Sequence, residues 1–272
     1  MKKLTTGILM AALIGIGVTM AKDANKIVVD GSTTVGPIAK AFAEYYMAKH
    51  SDVNITVSES GSGNGAKSLI NETCDVATMS RPMKNSEKDA AKKTGVLPIQ
   101  HIVAMDGIAV IVHPSNPVAN LSIDQIRAVY TGQIRNWKEL GGPDLPIVVI
   151  SRDTNSGTYE CFETMVMNKE KIADRAEYVG SNGAIRQRVL STEGTIGYVG
   201  LAFLEGVKAL KVNNIEATPE TVLSKTYPIS RPLYMYTNGR PDSETPLCKF
   251  IELSNTPDGK KIIEDKGFVP VK

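Results

Sequence analysis

Short runs of β-branched and apolar residues alternate with amphipathic windows along this chain, and that alternation restricts it to an α/β architecture. Ile27 to Val29 reads as a strand and Pro37 to Lys49 as a helix, with Pro37 at a tolerated first position and Ile38, Phe42 and Tyr45 on one face. Ile55 to Val57, Val76 to Met79 and Ile99 to Val103 are further strands, while Leu69 and Ile70 lie on a short helix and Ser86 caps another. Ser122-Ile123-Asp124-Gln125 has the spacing of a capping box and opens a helix running through Tyr130 to Gly132. Later strands are expected at Ile147 to Ile150, Ile196 to Val199 and Leu233 to Tyr236, and Pro257 starts a last helix closed by Gly267. No internal repeat, low-complexity tract or heptad seam breaks the pattern.

One segment reads as a crossing between two lobes. Ile102 to Val112 is apolar on both sides of Asp106-Gly107, so it is long for one strand and is interrupted at its middle by a carboxylate and a flexible residue. Asp106 either caps a surface turn or is buried and needs a partner. Tyr227 to Tyr236 is a second extended stretch that can carry the chain back, which places a cleft between lobes with strand-like hinges.

The first residues point to export. Met1-Lys2-Lys3 is basic, Gly7 to Met20 has the length of a signal-peptide apolar region, and Thr19-Met20-Ala21 ends in a small residue suited to cleavage. A spanning anchor fits less well, because the run is short and contains Gly7, Gly15 and Gly17. Cleavage near Ala21 leaves 251 of the 272 residues and removes Lys2 and Lys3, which takes the formal net charge from +2 to 0. A neutral chain has no broad basic field for nucleic acid or an anionic membrane, so any anion must be bound by local donors. Cys74, Cys161 and Cys248 are too widely spaced for a zinc pattern or a dense disulfide framework; one disulfide or three buried thiols both fit.

Those local donors are conspicuous. Gly31-Ser32-Thr33-Thr34, Ser60-Gly61-Ser62-Gly63 and Ser156-Gly157-Thr158 each place hydroxyls among glycines just ahead of a helical window. A helix start offers unpaired N–H groups and the positive end of a dipole, so each loop is a small anion receptor. Arg152, four residues before Ser156, adds a guanidinium that can fork two bonds onto a tetrahedral oxyanion. Singly, each loop reads as no more than a helix cap, worth ~1 kcal/mol.

Five motifs in order give the chain a family likeness: Asp30-Gly31-Ser32-Thr33-Thr34, Gly61-Ser62-Gly63-Asn64-Gly65, Ser80-Arg81-Pro82, Leu121-Ser122 through Trp137, and Arg152 with Ser156-Gly157-Thr158. Together with Thr195-Ile196-Gly197-Tyr198-Val199 they resemble the phosphate-binding proteins that deliver ligand to ABC transporters, over nearly all of the mature chain. The resemblance implies a two-lobed periplasmic-binding-protein fold, each lobe a mixed sheet flanked by helices and joined by two extended hinge segments. On that fold residues 1–21 are the signal peptide, 22–107 plus 225–272 the first lobe and 108–224 the second. It further implies a periplasmic, monomeric protein without metal or cofactor that captures inorganic phosphate between the lobes and passes it to the permease subunits of an ABC transporter. Ser32, Thr33, Thr34 and Ser62 then bind from one lobe, and Arg152, Ser156, Gly157 and Thr158 from the other.

One departure bears on selectivity. Where better-known members of the family place an Asp that accepts the proton of phosphate, this chain has Ser80, with Arg81 beside it. A fixed carboxylate accepts protonated phosphate and repels sulfate. Asp106 is the candidate to have taken over that task, with Arg81 as a second cation offsetting its charge.

Other classes fit the residues less well. Gly61-Ser62-Gly63-Asn64-Gly65-Ala66-Lys67-Ser68 nearly has P-loop spacing, but Ala66 stands where a glycine is required. There is no Gly-x-Ser-x-Gly and no Ser-x-x-Lys, and His50, His101 and His113 are remote in sequence from the anion loops. Trp137, Tyr45 and Tyr46 read as packing residues, and Met165 and Met167 as core filler rather than metal ligands. Capture of sulfate, molybdate or tungstate, or an exported phosphate sensor or adhesion protein on the same fold, are the alternatives.

Overall fold

A computed structural model describes residues 23–271 of the chain; the expected signal segment, 1–21, lies outside them. β1 (Lys26–Gly31), α1 (Gly36–Lys49), β2 (Asn54–Ser58), α2 (Ser62–Ile70), β3 (Val76–Met79), α3 (Asn85–Thr94) and β4 (Pro98–Val112) come first. They are followed by β5 (Asn120–Leu121), α4 (Ile123–Thr131), β6 (Val148–Arg152), α5 (Gly157–Met165), β7 (Glu177–Val179), α6 (Asn182–Ser191) and β8 (Thr195–Gly200). The chain ends with β9 (Lys208–Ala209), β10 (Lys211–Val212), α7 (Pro219–Leu223), β11 (Ser230–Asn238), α8 (Pro246–Glu252) and α9 (Pro257–Asp265).

The main sheet runs in the order β2-β1-β3-β11-β4-β8-β6-β7, with β9 also on β4 and β5 paired with β10 apart from it. β1 is parallel to β2 and β3, whereas β11 is antiparallel to β3 and β4. Beyond β4 the same mixture recurs, with β8 antiparallel to β4 and β6 parallel to β8 and β7. Each half of the sheet is therefore a mixed sheet with helices on its faces, and the two halves form two lobes. One core packs Ile27, Val29, Phe42, Phe250 and Ile263, and the other packs Tyr130, Trp137, Phe162 and Tyr198.

β4 belongs to both lobes. Residues 98–107 pair with β11 and residues 108–112 with β8, so the strand passes through Asp106-Gly107 without the expected interruption. The reason is a cross-strand pair: Arg231 of β11 stands directly opposite Asp106 and bonds its carboxylate, which lets a charge sit inside a buried ladder. β11 begins its pairing at Ser230 opposite Gly107, while Tyr227 and Ile229 pack in the second core.

Local signals explain most helix ends. The Ser122 hydroxyl accepts from the Gln125 N–H at 3.1 Å and the Gln125 side chain accepts from the Ser122 N–H at 2.9 Å, while Gly132 and Gly267 close their helices at φ +81° and +80°. Ser86 is not a cap: α3 starts one residue earlier, and the carboxylate of Glu87 accepts the Lys84 N–H at 2.8 Å. The buried stripe of α1 runs Ile38, Phe42, Tyr46 rather than to Tyr45, whose hydroxyl donates to Asp258. Trp137 is buried and donates from Nε1 to the Gly194 carbonyl, Met167 is buried while Met165 is exposed, and no disulfide joins Cys74, Cys161 and Cys248. Among the described residues no helix is long and apolar enough to cross a membrane.

Candidate functional site

In the first lobe, the loops leaving β1, β2 and β3 meet at one edge of the sheet. β1 ends at Gly31, where φ is +136° and an added Cβ would lie 2.2 Å from the Thr78 carbonyl oxygen, so only glycine turns the chain there. The Ser32 hydroxyl then accepts from the N–H groups of Thr34 and Val35, at 3.1 and 3.4 Å, while the N–H of Thr33 has no acceptor among the described residues. The second loop rides on the first through Gly61 N–H to the Gly31 carbonyl at 2.7 Å, and Gly61, at φ +99°, leads into Ser62 at the start of α2. The Ser62 hydroxyl accepts from the Ser80 N–H at 3.1 Å, which ties the end of β3 to the same point.

The second lobe brings Arg152 at the end of β6 and Ser156, whose hydroxyl caps α5 by accepting from Tyr159 N–H at 3.2 Å. The loops of the two lobes touch. Gly63 N–H donates to the Asn155 carbonyl at 2.9 Å, and the hydroxyls of Thr34 and Thr158 lie 3.1 Å apart. Ser32, Thr33, Thr34, Ser62, Ser80, Ser156 and Thr158 are all buried, and Gly157 packs against Ser62 and Ser80 so closely that an added Cβ would lie 2.6 and 2.7 Å from their hydroxyls. The first-turn N–H groups of α2 and α5 have no acceptor within their own helices, so Ser62, Gly157 and Thr158 bring main-chain donors to the same place.

Two guanidinium groups and one carboxylate set the charge of this centre. Arg152 is 1% exposed and donates from Nε to the Val179 carbonyl at 3.2 Å and from Nη2 to the Gly180 carbonyl at 2.8 Å; its Nη1 is buried without any partner among the described residues. Burial lowers its pKa to about 10, and the nearby charge of Arg231 acts in the same direction against the opposing pull of Tyr198 and Asp153. Arg231 donates to the Ser80 carbonyl, the Thr158 hydroxyl and Asp106 Oδ2, each at 3.0 Å. Asp106 is fully buried, and burial raises its carboxyl above the usual range, although Arg231 and neighbouring N–H groups pull it down. Asp106 answers Arg231, whereas Arg152 is bonded only to main-chain carbonyls, with Asp153 nearby; a guanidinium so placed in a dry centre rich in donors matches a tetrahedral oxyanion.

Asp106 is paired otherwise than expected: Oδ1 accepts the Leu201 N–H at 3.0 Å, and Oδ2 accepts both Nε and Nη2 of Arg231. Arg81 is not the cation that offsets it. Its guanidinium is held by Glu87 at 2.7 and 2.8 Å, by Glu160 at 2.9 Å and by the Pro82 carbonyl, so its charge is already met by carboxylates.

Two residues of the centre were missed. Arg231 had a signal, being the one charge in the apolar stretch from Tyr227 to Tyr236, just as Asp106 is in Ile102 to Val112. Asn182 had none, since Ser181-Asn182-Gly183 reads as an ordinary helix start. Its side-chain amide nevertheless donates to Thr33 and Thr34 at 3.1 and 3.0 Å and accepts the Gly200 N–H at 3.2 Å, joining the two lobes.

No nucleophile and base are paired here. His101 and His113 bond Thr237 and Ser115, and His50 stacks on Tyr46, all outside the centre. Among the described residues no group of His, Cys, Asp and Glu is arranged to hold a metal ion.

Residues 18–252 match the PBP superfamily domain. The phosphate-binding protein PstS of Borreliella burgdorferi is 31% identical over 265 residues, which is 92% of each chain. The PstS protein of Staphylococcus aureus is 33% identical over 251 residues, covering 88% of this chain and 74% of the relative. Among solved structures, a putative phosphate ABC transporter substrate-binding protein from Clostridium perfringens, crystallised with bound phosphate, superposes with a TM-score of 0.84 at 36% identity, over 91% of this chain and all of that one.

Proposed function

We propose, from the premise that this chain belongs to the PBP superfamily and within it to the phosphate-binding proteins of ABC transporters, that its interlobe centre captures inorganic phosphate. The observation that carries this reading is Arg152 Nη1, a buried guanidinium nitrogen without a partner among the described residues. A phosphate oxygen at that point would pair it. The hydroxyls of Thr33, Thr34, Ser62 and Thr158 and the first-turn N–H groups of α2 and α5 would serve the remaining oxygens.

In this reading the protein captures its ligand without chemistry. The ion enters while the lobes are apart, and closure makes the contacts of Gly63 with Asn155, Thr34 with Thr158 and Asn182 with Thr33 and Thr34. Because dehydrating the ion is costly, only a nearly complete donor set yields net affinity. In this reading residues 22–107 with 225–272 form the first lobe and 108–224 the second; the pairing of β4 with β11 up to Gly107 and with β8 from Ile108 supports the first of these divisions. The mature protein, cleaved near Ala21, works in the periplasm as a monomer, is not an enzyme, and hands phosphate to the permease subunits of its transporter.

Calorimetric titration of residues 22–272 with phosphate, arsenate and sulfate tests the reading. Phosphate should bind with a micromolar or lower Kd, which requires roughly −8 kcal/mol. Arg152→Ala should lose about a hundredfold or more in affinity, the scale of a buried charge-assisted bond. Near-normal phosphate binding by that variant would remove the site.

A further inference from the structure

A second charged cluster lies between the lobes, away from the captured anion. Glu160 sits on α5, one turn beyond Gly157 and Thr158, and its carboxylate reaches back across the interface. Oε2 is 2.9 Å from Arg81 Nε and Oε1 is 3.0 Å from Lys84 Nζ, both from the segment after β3 in the first lobe. Arg81 and Glu160 are nearly buried, with side chains 5% and 16% exposed, whereas Lys84 is 48% exposed beside a cavity of about 460 Å³ bordered by Met83, Cys161 and Met165. One end of the cluster is dry and the other is reached by water and salt.

We infer that Glu160 is a positioning residue for ligand capture, a latch that holds the closed lobes together through Arg81 and Lys84 and so sets how slowly phosphate leaves. The inference rests on the phosphate-capture reading above. Three features support it. The same helix start carries the anion-binding N–H groups and, one turn later, the latch, so α5 cannot dock its first turn without bringing Glu160 onto Arg81. The stem of Arg81 lies against Gly157, where an added Cβ would be 3.0 Å from Arg81 Cγ, which couples the two in packing as well as charge. Arg81 also has a partner within its own lobe, Glu87, which binds it through both carboxylate oxygens at 2.7 and 2.8 Å. Opening therefore strips Arg81 of Glu160 without leaving its charge alone, and Glu160 returns to water. A latch of that kind favours closure without making the open form inaccessible.

Stopped-flow and calorimetric measurement of phosphate binding by the mature protein and its Glu160→Gln and Lys84→Gln variants decides the matter. Glu160→Gln should raise the dissociation rate about tenfold, equal to 1.4 kcal/mol, with the association rate within about twofold. Lys84→Gln, whose exposed side chain leaves folding undisturbed, should give a smaller rise and flatten the salt dependence of dissociation. Glu160→Asp should restore part of the loss, and the double variant should fall short of the sum of the single effects. Unchanged dissociation in Glu160→Gln, with wild-type protein binding phosphate normally, overturns the latch and leaves capture intact. If wild-type protein fails to bind phosphate, the capture reading falls instead, and small-angle scattering of ligand-free protein still judges the latch. Glu160→Gln should then be more expanded than wild type, and identical profiles would overturn it.

Discussion

Asp106 and Arg231 hold each other across adjacent strands, and every oxygen of the carboxylate is taken by protein donors. The carboxylate fixes Arg231 against Ser80 and Thr158. Replacing Asp106 by Asn leaves a buried guanidinium without its counter-charge, and breaking a buried pair from one side costs about 3–5 kcal/mol. We expect Asp106→Asn to melt well below wild type without ligand, while the ratio of phosphate to sulfate affinity stays within about twofold of the wild-type ratio, since both anions feel the same change of charge. A differential scanning and calorimetric comparison checks both halves. A tenfold loss of discrimination would return Asp106 to the role of proton acceptor.

Gly157 opens α5 at the point where the helix meets the other lobe. Its φ is not positive, so alanine is acceptable to the backbone and favourable to the helix; the obstacle is the first lobe, where a Cβ would stand 2.6 Å from Ser62 Oγ, 2.7 Å from Ser80 Oγ and 3.0 Å from Arg81 Cγ. The methyl collides only when the lobes are shut. Gly157→Ala should thus leave ligand-free stability within about 0.5 kcal/mol of wild type but weaken phosphate binding about tenfold or more, the usual cost of overpacking. Equal losses in melting temperature and affinity would show that the clash exists in the open form too. The helix starts that build the centre were legible in the sequence because hydroxyl, glycine and helical window are neighbours in the chain: Ser32 to Thr34, Ser62 and Ser156 to Thr158 all signal locally. What escaped was long-range. Asp106 seemed to break a strand because its cross-strand partner is 125 residues away, and Arg81 seemed available because Glu160 comes from the other lobe. The start of α3 was legible but misplaced by local competition: Glu87, three residues after Lys84, takes the Lys84 N–H and sets the helix start ahead of Ser86. Capping follows local chemistry, whereas the fate of a buried charge follows the topology that chooses its partner.

β4 and β11 bind the two lobes into one folding unit. Each lobe has its own core, yet the ladder of β4 is shared between them, and Tyr227 and Ile229, just before β11, are buried in the second core while Leu233 and Met235 are buried in the first. Unfolding either lobe would strip β4 of half its partners and expose the Asp106 and Arg231 pair, so neither can melt while the other persists. Ligand-free protein should therefore unfold in a single calorimetric transition. Phosphate, bound by residues of both lobes, should move that one transition as a whole. At a hundredfold excess over Kd a ligand that binds only the folded state contributes about 2.7 kcal/mol, which for a chain of this size is a rise of about 5–10 °C. The same excess should leave the Arg152→Ala melting temperature almost unmoved. Two transitions, with phosphate raising only one of them, would mean that the crossing strands are a passive tether and that the ligand is held by one lobe; a single transition that phosphate shifts intact means that the two lobes unfold as one unit.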